Sequence, residues 1–250
     1  MPNLLRTAAA ALCVSLFTSA GAPAAELKVL AVGVFPDAFK ELIPQFERTS
    51  GHKVTVQYAA TPVLIKQIEA GEAFDVAITT AGPMNEAAKQ GHFAAGFRPQ
   101  VSSVGLGAAV RAGAPKPDIG TTEAFKRAML NATSVGYTEG GGSGSYFVAL
   151  LDKLGIADAM KPKLRPGTDT QAAVARGEVE MTVTGIVPIL RSKGVVLAGP
   201  LPAELQSYSV FTAGISATTQ VKDAAAALLQ FLRTPEATAV FRRRGVEAMP

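Results

Sequence analysis

A chain of 250 residues with 48% hydrophobic content can bury conventional cores, which sets it apart from the disordered class. The 24 basic and 20 acidic residues give a formal net charge of +4, with no Trp and 6% aromatics, so the composition gives no support to base-stacking recognition of nucleic acid. The mild positive balance is compatible with a small anionic ligand.

Residues 1–24 read as a secretory signal. Arg6 supplies the positive start, and Ala8 to Phe17 forms an apolar run of about ten residues, too short to span a bilayer. Ala22-Pro23-Ala24 is a small-residue cleavage signature, with the cut predicted after Ala24. A periplasmic location is the expectation. Cys13, the single cysteine, falls inside this segment, so no disulfide framework is expected beyond it. Roughly 225 residues remain, enough for two lobes that each bury a core.

Strand-length apolar runs then alternate with amphipathic helices. Leu27 to Gly33 reads as a strand, and Pro36 opens a helix that ends before Gly51, with Ala38, Phe39, Leu42, Ile43 and Phe46 at helical spacing. Lys53 to Tyr58 alternates as a second strand. Thr61 is the predicted N-cap of the next helix, with Pro62 at its first position and Gly71 beyond its end. Asp75 to Thr79 is a third strand, and Pro83 to Gln90 a short helix. Val101 to Val110 reads as one long extended segment. Helices over Thr122–Leu130 and Asp169–Arg176 and strands over Val179–Thr184 and Val195–Ala198 follow. Tyr208 to Ser216 is extended again, and two helices, 221–233 and 235–244, close the chain. Alternation of this kind predicts an α/β fold with largely parallel sheets. The two long extended segments are either paired crossings between two lobes or central strands of one larger sheet.

The chemistry concentrates at Thr138-Glu139-Gly140-Gly141-Gly142-Ser143-Gly144-Ser145-Tyr146. The apolar run Ser134 to Tyr137 leads into it, and Phe147 to Leu151 leads out as a helix. Glycines admit close backbone approach, and a helix start offers unpaired N–H donors and partial positive charge. No Lys follows the last glycine, so this is not a Walker A loop. Thr79 and Thr80 stand at a strand's carboxyl end, where α/β proteins bind ligands. His52 and His92 follow glycines in separate turns, lack metal-ligand spacing and read as surface turns. Arg242-Arg243-Arg244 complements a helix C-terminus. No metal, cofactor or catalytic constellation is expected.

Several ordered segments carry a family likeness: Leu30 to Phe35, Gln67 to Gly71, Asp75 to Thr79, the glycine loop, Leu150 to Gly155, and Phe231 to Ala237. Together they resemble the periplasmic molybdate-binding-protein family within the type II extracellular solute-binding proteins. The resemblance implies two α/β lobes, 25–104 plus 211–250 and 105–210, joined by two crossing strands after a 1–24 signal. It also implies a monomer that holds an anion between the lobes for an ABC permease in the inner membrane. In the family, neutral donors hold the anion. Their matches here are Val34 beside Gly33, Thr61, Ser143 with Gly144 and Ser145, and Thr170, with Thr80 and Thr184 lining the same strand ends.

Two positions depart from the pattern. Val34 stands where the family has Ser, and the Tyr expected near Thr184-Gly185 is missing. Each lost hydrogen bond to a charged group is worth roughly 1.5–3 kcal/mol. Together they would weaken oxyanion binding by about 10²–10⁴-fold. The vacated volume favours a larger organic carboxylate over molybdate, with Lys66 or Arg176 as possible cationic grips. Aconitate isomerase is similar to this solute-binding group, so isomerisation of a small tricarboxylate is the alternative, with Glu139, Tyr137 and Tyr146 as available acid–base groups.

Overall fold

The computed structural model describes residues 24–96, 98–139 and 142–248. Residues 1–23 of the leader expected over 1–24, and Gly140-Gly141 of the glycine run, lie outside the described residues.

The chain begins with β1 (Glu26–Val32), α1 (Pro36–Ser50), β2 (Lys53–Ala59), α2 (Thr61–Glu69), β3 (Val76–Thr80), α3 (Ala81–Lys89) and β4 (Gln100–Val104). It continues through β5 (Leu106–Arg111), α4 (Thr122–Asn131), β6 (Val135–Thr138), α5 (Gly142–Lys153), α6 (Ala157–Met160), β7 (Leu164–Gly167), α7 (Thr170–Arg176), β8 (Met181–Gly185), α8 (Ile186–Arg191) and β9 (Val195–Pro200). It closes with β10 (Ser209–Ile215), α9 (Lys222–Phe231), α10 (Pro235–Arg243) and β11 (Glu247–Ala248).

These strands form two sheets, not one. The first has the order β11-β4-β10-β3-β1-β2, and the second β7-β6-β8-β5-β9. The expectation of largely parallel sheets needs correction. Only β2-β1-β3 and β7-β6-β8 run parallel; β10 and β4 in the first sheet, and β5 and β9 in the second, run antiparallel to their neighbours. Strands that return from the other sheet arrive in the opposite direction.

The single extended segment expected over Val101–Val110 is two strands in different sheets. The break falls at Gly105, where a Cβ would lie 3.1 Å from Gln206 Cδ and Tyr208 Cε1. The chain leaves the first sheet there and returns just before Ser209. Beyond the expected elements, the structure adds α6, β7, α8 and β11.

Each sheet has its own core. In the first, Phe35 stacks on Phe39 (centroids 5.1 Å) and meets Phe211 and Phe241 edge-on at 5.5 and 6.0 Å. In the second, Phe125, Met129, Phe147 and Met160 are fully buried with Val183. Burying one such side chain is worth about 1.5–3 kcal/mol. α1 ends as its sequence dictates: Gly51 takes a left-handed φ of 74° and donates its N–H to Glu47 O at 3.0 Å. Among the described residues no helix is long and apolar enough to cross a membrane.

Candidate functional site

The parallel strands of each sheet deliver their carboxyl ends to one edge, and a turn or helix start follows each end. β1 runs into the turn at Gly33-Val34, β2 into α2, and β3 into α3; β6, β7 and β8 run into α5, α7 and α8. Strand ends of this kind, with unpaired N–H groups above them, are where open α/β sheets bind anions.

On the first sheet, Thr61 and Thr80 meet. Thr80 donates its N–H and its hydroxyl to Thr61 Oγ1, both long contacts at 3.4 Å. Thr61 thereby accepts, and its own proton is left to donate outward. Thr61 is not the N-cap expected of it. Ala60 holds that position in extended geometry, its carbonyl accepting from Val63 N–H at 2.9 Å and Leu64 N–H at 3.1 Å, and Thr61 is the first helical residue. Gly33 is exposed and Val34 half-buried against the first core. Val34 N–H has no partner among the described residues.

On the second sheet, Thr138 and Thr184 pair through their hydroxyls at 3.3 Å, so one of their two protons stays free. Gly144 is packed on the end of β6. A Cβ there would lie 1.8 Å from Thr138 O, so only glycine lets α5 start at this height. Ser143 is half-buried and Ser145 exposed in the same first turn.

Thr170 is buried, and its hydroxyl lies 2.7 Å from that of Thr182. Thr182 donates to Gly136 O at 3.0 Å, so its one proton is committed and Thr170 is the donor in their bond. The Thr170 hydroxyl proton is therefore used internally, and its main-chain N–H is the group left at the helix start. Thr170→Val should cost about 1 kcal/mol, and Thr182→Val about twice that because it breaks both bonds. Urea unfolding of the two variants checks the order.

Neither suggested cationic grip is placed for the task. Arg176 is bidentate with Glu178, at 2.6 Å from Nε and 2.9 Å from Nη2. Lys66 lies in the last turn of α2, about 7.5 Å along the axis from Thr61. The histidines, read as surface turns, are half-buried and pair with neighbouring segments. His52 Nδ1 accepts from Ala25 N–H at 3.1 Å, and His92 takes part in backbone pairing with Ala87 and Ala217. No group of three or more metal-ligating side chains occurs among the described residues.

Of the groups available for acid–base work, Tyr146 donates to Leu205 O at 3.1 Å, Tyr137 packs on Phe147 (centroids 6.1 Å), and Glu139 is exposed. Burial and the nearby Asp37 carboxylate push the Tyr58 phenol up. Residues that sequence reasoning missed are Arg191, which donates from Nη1 to Gly33 O at 2.8 Å, and Gln206, which spans the two crossings. Neither carries a motif; their partners lie 158 and 100 positions away.

Two mixed α/β sheets joined by two crossings define a type II periplasmic binding-protein fold. A substrate-binding domain from Clostridium difficile superposes with a TM-score of 0.80 at 16% identity, covering 91% of this chain and 100% of that one. The Azotobacter vinelandii periplasmic molybdate-binding protein gives 0.67 at 19% identity, covering 90% and 99%. The chain belongs to the bacterial extracellular solute-binding protein family, whose pattern matches residues 27–247. Among curated relatives, an aconitate isomerase of Pseudomonas sp. is 28% identical over 92% of this chain and 91% of its own length. The molybdate-binding protein ModA of Escherichia coli (strain K12) is 27% identical over 95% of each chain.

Proposed function

We propose that this protein is an exported receptor that captures a small organic carboxylate between its two sheets and presents it to an ABC permease. The lobes comprise residues 25–104 with 211–250, and 105–210, and the two crossings act as the hinge. One observation supports the choice of a neutral-donor anion site: Thr61, after β2 of the first sheet, and the Thr138–Thr184 pair, at strand ends of the second, each keep a hydroxyl proton with no acceptor among the described residues. Gly33, Val34, Thr61 and Thr80 form one face, and Ser143, Gly144, Ser145, Thr170 and Thr184 the other. Val34 contributes its unpartnered N–H in place of a hydroxyl. Val34, where molybdate binders carry Ser, removes a hydroxyl donor, and Gly185, where they carry Tyr, leaves room for a ligand larger than a tetrahedral oxyanion.

A second reading, isomerisation of a small tricarboxylate on the same scaffold, is favoured by the isomerase relative of near-full-length coverage. Thermal-shift measurements with molybdate, succinate, tricarballylate and aconitate, each followed by proton NMR, separate the readings. A carboxylate at a hundred times its Kd should stabilise by about 2.7 kcal/mol, raising the melting temperature by about 5–10 °C without turnover. A double-bond shift in aconitate would establish the isomerase. A larger shift with molybdate than with every carboxylate would overturn the ligand class.

A further inference from the structure

Beside Val34 lies a cavity of about 390 Å3 between α1, α8 and α10, lined by Asp37, Leu190, Arg191, Arg243 and Arg244 as well. α8 follows β8 of the second sheet but buries Val187 in the first core beside α1 and α10, so the cavity lies where chain from the second sheet meets the first core. Its charge is unbalanced. Arg191 Nε lies 3.1 Å from Asp37 Oδ2, and Lys40 Nζ reaches the other oxygen of Asp37 at 3.4 Å. Arg243 pairs with Glu41 Oε2 at 3.1 Å, and Arg244 pairs with Oε1 of the same carboxylate. Four cations thus share two carboxylates. The two arginines hold Glu41 below the usual carboxylate range, so it stays ionised near neutral pH without balancing them.

We infer that this cavity is a second anion subsite, one that takes a carboxylate of a polycarboxylate ligand whose other end reaches the cleft at Val34. The inference depends on the cleft being the anion receptor proposed above. Guanidinium forks match planar carboxylates bidentately, and each arginine here leaves most of its five N–H groups uncommitted. Arg191 uses Nε and Nη1, and Arg243 and Arg244 one nitrogen each. The arginine side chains are 44–61% exposed. Ion pairs this exposed are weak, so exchanging an internal partner for a ligand costs little. A single-centre oxyanion occupies one subsite at a time, whereas a tricarboxylate fills both. The subsite therefore selects for ligands with two or more carboxylates, and it supplies the cation that Lys66 and Arg176 do not.

Isothermal titration with tricarballylate and acetate tests this on the wild type and on R191Q, R243Q/R244Q and E41Q. Both arginine variants should weaken tricarballylate by about ten-fold, as expected for one charge-assisted bond, and change acetate less than about two-fold. E41Q removes the competing carboxylate and should tighten tricarballylate by about three-fold or more, a gain that a merely destabilised protein would not give. Tricarballylate that binds the wild type and all three variants within about two-fold would overturn the subsite and leave the carboxylate receptor standing. A wild type that binds molybdate but no tricarballylate would overturn the ligand class, and the subsite with it.

Discussion

Replacing Gly144 with alanine is expected to lower the melting temperature by about 10 °C and to abolish the anion binding proposed above. An alanine Cβ would sit 1.8 Å from Thr138 O and 2.9 Å from Thr138 C, distances no real side chain tolerates. The strand cannot yield. Thr138 is paired in parallel with Gly167, and Glu139 N–H donates to Gly167 O at 3.1 Å immediately beyond it. Tyr137, on the same strand, is wedged against Phe147 of α5 (centroids 6.1 Å). α5 must therefore lift off the end of β6, breaking the packing of buried Phe147, Leu150 and Leu151. Overpacking against backbone of this kind costs about 3 kcal/mol or more. The same movement displaces Ser143 and Ser145, which lie in the first turn of α5. Gly142→Ala is the matched control, because a Cβ there meets nothing within 4 Å, and it should melt within about 1–2 °C of the wild type. Calorimetry of both variants, with an anion titration, reads the difference. A Gly144→Ala protein that melts like Gly142→Ala would show that the loop has slack the geometry denies.

The sequence made some of this legible and hid the rest for identifiable reasons. Helices with a strong apolar stripe were readable to within a residue or two: α1 runs from Pro36 to Ser50, and α10 from Pro235 to Arg243. Thr61 and Thr80 follow short apolar runs, whereas Ser143 follows a glycine run and Thr170 follows Thr168-Asp169, so those two were singled out only by the glycine pattern and the family resemblance. Short elements were not. α8 has only six residues with Pro188 inside it, too few to display a helical period, and β11 has two. The switch of sheets at Gly105 was invisible, since Val101–Val104 and Leu106–Val110 are equally apolar and a lone glycine in a strand more often signals a bulge. The cap at Thr61 was misplaced by one residue because a Thr-Pro pair fits two helix registers, and the Ala60 carbonyl decides between them only in three dimensions. Long-range polar partners such as Arg191 with Gly33 leave no local trace at all.

Gln206→Ala is the second large effect expected, and it concerns how the two crossings are held together. The Gln206 side chain stands in for a strand's peptide group. Its Oε1 accepts from Leu106 N–H at 2.6 Å, and its Nε2 donates to Leu106 O at 3.0 Å and Leu201 O at 3.3 Å. Leu106 O keeps a second donor in Leu201 N–H at 3.0 Å, but Leu106 N–H has only Gln206 among the described residues, and Leu106 is 5% exposed. Alanine therefore strands a buried N–H and removes the tie between residues 100 positions apart, at a cost of about 2–3 kcal/mol or about 4–12 °C. Tyr146 bonds to Leu205 O at 3.1 Å, so loosening this segment also releases a restraint on α5 and should weaken anion binding as well as stability. Gln206→Glu separates the two halves of the amide. Glutamate still accepts from Leu106 N–H, but when ionised it sets negative charge against the Leu106 and Leu201 carbonyls. That repulsion raises its folded-state pKa above the unfolded value, so the folded protein binds the proton more tightly. The variant should therefore regain stability as pH falls toward 5, where a protonated carboxyl can donate as the amide did. Urea midpoints from pH 5 to 8 distinguish the cases. A Gln206→Glu protein whose stability relative to wild type is flat across that range would show that the Nε2 donor contributes nothing and that the Leu106 N–H bond alone fastens the crossings.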